Sequence, residues 1–429
     1  MEFIEQVNKE EFEQFVSTNL IKGHFMQSYY WGEVSKNKKF KPHYLGLKED
    51  GELIATALLL EKHLISKYSF FYCPRGFVCD YNDDEVVKTF TEHIKKYCKK
   101  NKGIFLRLDP DIKLQNLDPE GNVIEGIDNH KLVEEMISLG YKHKGFNKNF
   151  ENNQPRYTFR LDISKGIEEV RKNLHPTTRK IINRGNVYNI ELYRGDASDI
   201  DAFYDTMIDT AKREDLVLSS KDYYNTFYTT LNKQNMSDIY IAKINIEELK
   251  KNYLSKIELI EQNIELANVK DDKKNKDKVN TKLKELNQQL DKCKAEYEEV
   301  KNIEEKELIL SSIITVKYQN KVWTIHGGNR DQLRFLNANY WLYYKIIEDA
   351  VTEGFKIVDF FGTTGEPTPG NAVYGIHLFK KRLGGEYTEF IGEFDYVLKP
   401  LLYFGYTKVY PKIRKKLKRY VCLIFFCSS

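Results

Sequence analysis

The chain has 429 residues and a formal charge of +4 at neutral pH. That length allows two or three domains, each with its own core, and the charge balance gives no global basic field that would demand nucleic acid as a partner. Its six cysteines (Cys73, Cys79, Cys98, Cys293, Cys422, Cys427) follow neither zinc-ligand spacing nor a paired framework, the pattern of reduced cytoplasmic thiols.

The acidic, amphipathic start "MEFIEQVNKEEFEQF" is not a signal peptide. No run approaches the roughly 20 apolar residues of a membrane span, so a soluble, cytoplasmic protein is expected. "KPHYLGLK" and "ELIATALLLEKHL" alternate as strands, with "EDG" as hairpin punctuation between them. A strand "YSFFYCPRGFVC" follows, then a helix over "DDEVVKTFTEHIKKYCKKN" and the strand "IFLRLDP". The second half opens with the strand "YTFRLDI" and a helix from Ile167 into "KIINRG". Another helix, "DASDIDAFYDTMIDTAKRE", has Asp196 or Ser198 as cap. Strands "DIYIAKIN", "LILSSIITVKYQ" and "KVWTIHGG" precede the helix "NANYWLYYKIIEDAVTE" and the strand "FKIVDFFG". Each half therefore reads helix, hairpin, strand, loop, helix, strand.

Where the first half turns with "EDG", the second inserts residues 246–305. One limb carries Ile246, Leu249, Tyr253, Ile257, Ile260 and Ile264; the other carries Val279, Leu283, Leu286, Leu290, Cys293, Tyr297 and Val300, spaced alternately by four and three. This predicts an antiparallel coiled-coil arm, projecting roughly 35 Å at 1.5 Å per residue. A spacer or dimerisation role competes with RNA contact, because the polar tip has only a small basic excess.

The duplicated order resembles the acyl-CoA N-acyltransferase (GNAT) fold in tandem. With the arm and the stretches "HFMQSYYWGEVSK", "LRLDPDI", "LHPTTRKIINRG" and "GGNRDQLRFLNANYWLYYKIIEDAVTEG", the chain resembles the Fem family of peptidoglycan-bridge aminoacyltransferases. The most specific block is "DFFGTTG…YGIHLFKKRLGGEYTEFIGEFDYVLKPL". The fold class implied is mixed α/β (α+β), with two tandem GNAT-like domains and the arm inserted in the second. The expected division is 1–153, then 154–245 with 306–384, the arm 246–305, and a C-terminal segment 385–429 returning to the first domain.

The implied reaction moves an amino acid (glycine, alanine or serine) from aminoacyl-tRNA to the stem-peptide amine of a lipid-linked peptidoglycan precursor, lipid II. The ester is already activated, so no cofactor is required; aminoacyl-tRNA is the co-substrate. The loops "CDYNDDE" and "GGNRDQLRFLNAN" lack a glycine-rich diphosphate nest, so coenzyme A chemistry is read as lost. Two rivals stand beside this reading: transfer to another amine acceptor, and an inactive homologue that scaffolds related transferases in a homo- or hetero-oligomer.

By resemblance, Lys36 grips the precursor's diphosphate, with Lys38 and Lys39 as substitutes. The family's second clamp, an arginine before the tyrosines, is replaced by Ser219 and Ser220; Arg213 or Lys221 could compensate. Tyr223 and Tyr224 either line the pocket or pack a helix. Tyr340 either touches substrate or belongs to the core. Phe379 and Lys380 resemble the pair at the transfer centre, where an ammonium offsets a developing oxyanion; Lys381 and Arg382 blur the assignment. Asp109 either takes the amine's proton or caps a turn before Pro110. Gly362, Gly365, Gly384 and Gly385 are expected in tight turns. The tail carries six basic residues between Lys412 and Arg419 beside a short apolar end. It suits peripheral contact with an anionic membrane face, or packing on the first domain.

Overall fold

The computed structural model describes residues 1–151, 153–183, 187–214, 217–269 and 276–411. The arm's tip at 270–275 and the basic tail after 411 lie outside the described residues. Strand Glu2–Ile4, helices Lys9–Thr18 and Tyr29–Lys36, hairpin Lys41–Glu49 with Glu52–Ile65, strand Tyr68–Cys73, helix Asp84–Lys100 and strand Gly103–Leu108 follow in that order. The second half repeats it: strand Glu191–Gly195, helices Ile200–Glu214 and Lys221–Asn232, strands Ser237–Asn245, Glu307–Tyr318 and Lys321–Asn329, helix Ala338–Thr352 and strand Ile357–Asp359. In each half the strands flanking the late helix run parallel, while the hairpin strands run antiparallel. The fold is thus two α/β lobes of one design.

Local chemistry sets these boundaries. The first hairpin turns on Asp50 and Gly51, both left-handed (φ 50° and 88°), as a tight two-residue hairpin turn requires. Helix Asp84–Lys100 starts where the Asp83 carboxylate accepts from the Val86 amide at 3.0 Å, and its basic residues Lys99 and Lys100 fall in the last turn. The helix expected from Ile167 onward is two helices, Ile167–Asn173 and Pro176–Asn183. Pro176 has no N–H to donate, and Leu174 leaves the helical region with ψ 143°.

The coiled-coil arm grows from the second hairpin as helices Ile246–Val269 and Lys276–Lys301. At its base the Ile246 amide donates to the Lys306 carbonyl at 3.0 Å, so the arm closes on a strand pair. Ile246, Leu249, Tyr253, Ile260, Cys293 and Val300 are buried in one cluster continuous with the second lobe's core. The heptad seam is therefore anchored at its root.

Two segments cross between the lobes. Lys113–Leu117 and Val123–Asp128, from within 1–153, extend the second sheet, whose order places them beyond Glu386–Phe390. Phe394–Val397 inserts into the first sheet between Gly103–Leu108 and Tyr141–His143. Of the C-terminal segment, one strand thus joins each lobe.

The seam between lobes is apolar and hydrogen-bonded. Trp323 packs on Phe25 with ring centres 5.0 Å apart, in one core cluster fed by both halves. The Tyr318 hydroxyl donates to Glu13 at 2.7 Å, and Gln319 Nε2 donates to the carbonyls of Val16 and Asn19, each at 2.7 Å. Among the described residues no helix is long and apolar enough to cross a membrane.

Candidate active site

Strand Gly103–Leu108 ends at the seam and delivers Asp109, which is buried. Its Oδ2 accepts from the Tyr72 hydroxyl at 2.8 Å and its Oδ1 from the Arg75 amide at 2.7 Å. Burial raises the carboxyl to about 6, with the Arg75 charge and both hydrogen bonds opposing. The bonds come from Tyr72 and Arg75 rather than from a turn at Pro110. Arg75 itself is left-handed (φ 60°) and buried, with its guanidinium over the rings of Phe390 (4.9 Å) and Phe361 (5.9 Å). Its Nε is buried without a hydrogen-bond partner.

Two residues further on, Asp111 binds Arg160 of the second lobe, whose Nη2 donates at 2.6 Å. The Arg160 Nε donates to Asp359 Oδ2 at 2.8 Å. Burial alone would raise Asp111, but the charges of Arg160, His24, Lys321 and Arg75 together outweigh it and hold the carboxyl well below the usual range. Asp359 Oδ1 also accepts from the Phe361 amide at 2.8 Å and the Thr158 hydroxyl at 2.6 Å. The carboxylate therefore fixes the turn that follows it, in which Phe361 is left-handed (φ 56°).

That turn receives Lys380. Helix Tyr374–Arg382 buries the side chain, and its Nζ donates to the carbonyls of Phe361 at 2.9 Å and Gly362 at 2.6 Å. Burial pulls the ammonium down to about 7, opposed by Asp359. Phe361 thus stands between the Asp109–Arg75 pair and Lys380. Lys381 instead pairs with Glu120 at 2.6 Å, which separates the two neighbouring lysines by role. Gly384 and Gly385 after this helix are both left-handed (φ 88° and 98°), as a tight turn demands.

The end of helix Tyr29–Lys36 meets helix Lys221–Asn232 across the seam, where Asn37 donates to Asp222 at 3.0 Å. Lys36 is exposed and pairs with Glu33 at 2.7 Å. Lys38 lays its ammonium 3.7 Å from the centre of the Tyr223 ring, and lost hydration lowers it, helped by Lys62. Tyr223 and Tyr224 are both buried and both face His326, at 6.4 and 5.1 Å. Burial, then Lys38, pulls His326 down to about 3, so the ring is neutral, and its Nε2 is buried without a partner. Trp31 Nε1 is another such atom nearby, its ring 5.9 Å from Phe227. Buried polar atoms without partners are uncommon in proteins, and here they line one seam. Ser220 caps helix Lys221–Asn232, accepting from the Tyr223 amide at 3.2 Å, and Lys221 pairs with Asp201 at 3.0 Å.

A hollow of about 330 Å³ opens where the loop after strand Lys321–Asn329 enters helix Ala338–Thr352. Arg213, Arg330, Arg334 and Arg382 converge on it, beside Tyr340 and Phe379. Tyr340 is buried and packs edge-on against Phe379 with ring centres 4.8 Å apart. Arg213 is held by Asp331 and by Glu214 (2.9 Å), away from the Tyr223 helix end. Arg330 and Arg382 each keep a buried Nε without a partner. Leu333 and Asn337 are both left-handed (φ 56° and 57°), so the loop is bent at two non-glycine positions. Sequence reasoning, which looked for glycines in this loop, missed that arginines from separate elements meet here. It also missed Arg75, Arg160 and His326, which carry no local motif.

Two like-folded lobes with a polar, partly unsatisfied seam define a tandem acyltransferase-type architecture. The FemAB family model matches residues 7–411, and the chain belongs to the FemAB family. It is 28% identical over 404 residues to the aminoacyltransferase FemA of Staphylococcus epidermidis, covering 91% of this chain and 94% of that protein. It is 25% identical over 400 residues to the lipid II:glycine glycyltransferase of the same species, covering 92% of each. The crystal structure of FemX superposes with a TM-score of 0.72 at 23% identity, over 94% of this chain and 99% of that one.

Proposed function

We propose that the protein is an aminoacyltransferase that moves an amino acid from aminoacyl-tRNA to an amine on the stem peptide of lipid II. Similarity to a lipid II:glycine glycyltransferase and to FemA across nearly the whole chain supports the substrate class. One observation carries the reading: a buried carboxylate raised to about 6 and a buried lysine lowered to about 7 flank Phe361 on one seam.

In the reaction, the amine nitrogen attacks the ester carbonyl, a C–N bond forms, and the tetrahedral intermediate carries an oxyanion. The ester C–O bond then breaks, and the ribose oxygen leaves as a hydroxyl carrying the proton that the amine gives up through Asp109. Asp109 accepts the proton from the attacking amine. Lys380 in its ammonium form offsets the oxyanion while its other N–H groups stay on the Phe361 and Gly362 carbonyls. Because the ester is activated, alignment of amine and carbonyl supplies much of the rate.

The arginine hollow beside Phe379 suits the phosphates of the donor's terminal nucleotides, a use of planar donors on phosphate oxygens. Lys36, Lys38, Tyr223 and His326 lie together across the seam and suit the acceptor's diphosphate and adjoining groups. The division into 1–153, 154–245 with 306–384, and the arm 246–305 is part of this reading, with the exchanged strands latching lobe to lobe. The six basic residues of 412–419 would hold the chain at an anionic membrane face, close to a lipid-linked acceptor. Mass spectrometry of cell-wall muropeptides with and without the protein tests the reading. Loss of a bridge residue supports it; an unchanged muropeptide profile contradicts it.

A further inference from the structure

A separate hollow, of about 440 Å³, sits at the root of the arm. Its wall on the lobe side is Tyr188, Phe335 and Trp341, all partly exposed. Its other wall is the arm: Lys256 from the first helix, and Lys292 and Cys293 from the second. Glu296 also lines it, but this carboxylate accepts from the Tyr253 hydroxyl at 3.1 Å and lies 3.7 Å from Lys292. Tyr253 in turn stacks with Tyr188, their ring centres 6.0 Å apart, which braces that aromatic wall. Asn337 lines both this hollow and the arginine hollow, so the two adjoin at one residue.

We infer that the arm-root hollow holds an unpaired nucleotide near the 3′ end of the aminoacyl-tRNA, its base against Trp341 and Phe335 and its phosphate against Lys256 and Lys292. The inference rests on the proposed donor. Three observations favour single-stranded RNA as occupant. The volume falls within the range of small-ligand sites and is too small for a duplex end. Flat aromatic faces opposed by mobile ammonium groups are the means by which single strands are gripped without sequence readout. The hollow also adjoins, at Asn337, the arginine hollow lined by Phe379, Arg382 and Arg334. A strand whose terminal ester rests at Lys380 and whose next phosphates meet the arginines therefore arrives here. On this reading the root of the arm, rather than its tip, touches the donor's single-stranded end.

The full-length protein carries its own reporter. Of its three tryptophans, Trp323 is buried and Trp31 has its indole nitrogen buried, whereas Trp341 lines the hollow. An uncharged RNA minihelix with an intact single-stranded 3′ end should quench the fluorescence, and the same minihelix trimmed of that end should not. Trp341→Phe should abolish the signal, and Trp341→Ala should also weaken minihelix binding. Lys256→Ala with Lys292→Ala should raise the KM for charged tRNA about 10-fold, leave the KM for acceptor unchanged, and lower the salt slope of RNA binding by about 0.7 per lysine. Equal quenching by both minihelices, or an unchanged tRNA KM in an enzyme that still transfers from charged tRNA, would overturn this inference and leave the functional reading standing. Failure of the unaltered protein to transfer from charged tRNA, with no minihelix binding, would overturn both.

Discussion

Asp111, from the first half of the chain, accepts a hydrogen bond from Arg160 of the second half at 2.6 Å. The same guanidinium grips Asp359, whose other oxygen orders the turn that binds Lys380. One largely buried arginine thus ties the seam to the turn that binds Lys380.

Replacing Arg160 with Met leaves two buried carboxylates without their cation. Such a loss costs about 3–5 kcal/mol, to be read as a fall in the chemical-denaturation midpoint. A change below 1 kcal/mol would show that the pair is not structural. Because Asp111 is held low, its contribution is present at neutral pH and fades as pH falls through its depressed folded-state value.

Lys380→Met keeps the side chain's length and removes its charge. Turnover should fall about 100-fold, the order seen when one oxyanion donor is lost, with the acceptor KM little changed. An unchanged kcat would remove Lys380 from the reacting centre.

The pH dependence follows from the two shifted groups. Asp109 works as a base above about 6, and Lys380 carries its charge below about 7. The kcat/KM profile should therefore be a narrow bell, since it reports the free enzyme. Asp109→Asn should remove the acid limb and Lys380→Met the alkaline limb from whatever activity remains. A flat profile from pH 5 to 8 would contradict both roles.

Much of the fold was legible in the chain because it is built from local signals. The "EDG" turn, the heptad limbs of the arm and the Asp196 cap each lie within a few residues of the structure they specify. The return of 385–429 to the first domain was expected from the resemblance, but its register was not legible: Phe394–Val397 pairs with Gly103–Leu108, nearly three hundred residues away, and Glu386–Phe390 and Lys113–Leu117 join the second sheet instead, pairings that no local pattern records. The site divides in the same manner. Lys36, Phe379 and Lys380 stood out by motif, whereas Arg75, Arg160 and the four converging arginines become a constellation only when separate elements meet. Arg213 shows the cost of linear proximity, since it lies close in sequence to Tyr223 yet turns to Asp331 and the donor-side hollow.

On the acceptor side, Lys36→Ala should raise the acceptor KM, and the double change with Lys38→Ala should raise it further, because Lys36 ends the helix whose following residues, Asn37 and Lys38, meet Asp222 and the Tyr223 ring. The effect should shrink at high salt as screening grows. A normal acceptor KM in the double variant would assign the diphosphate elsewhere.

Excising 246–305 and joining Asn245 to Lys306 through a short turn should keep the second lobe's sheet, because Asn245 and Glu307 are already paired in the ladder, while the buried root residues Ile246, Leu249 and Tyr253 are lost from its core. Thermal unfolding should stay cooperative while the KM for charged tRNA rises. Full activity after excision would deny the arm any part in donor binding.

The most direct measurement of the central claim is transfer of radiolabel from charged tRNA to purified lipid II by the isolated protein. The account predicts label in the lipid fraction, dependent on Lys380 and indifferent to acyl-CoA. Label that appears only with acyl-CoA, or only in protein, would contradict it.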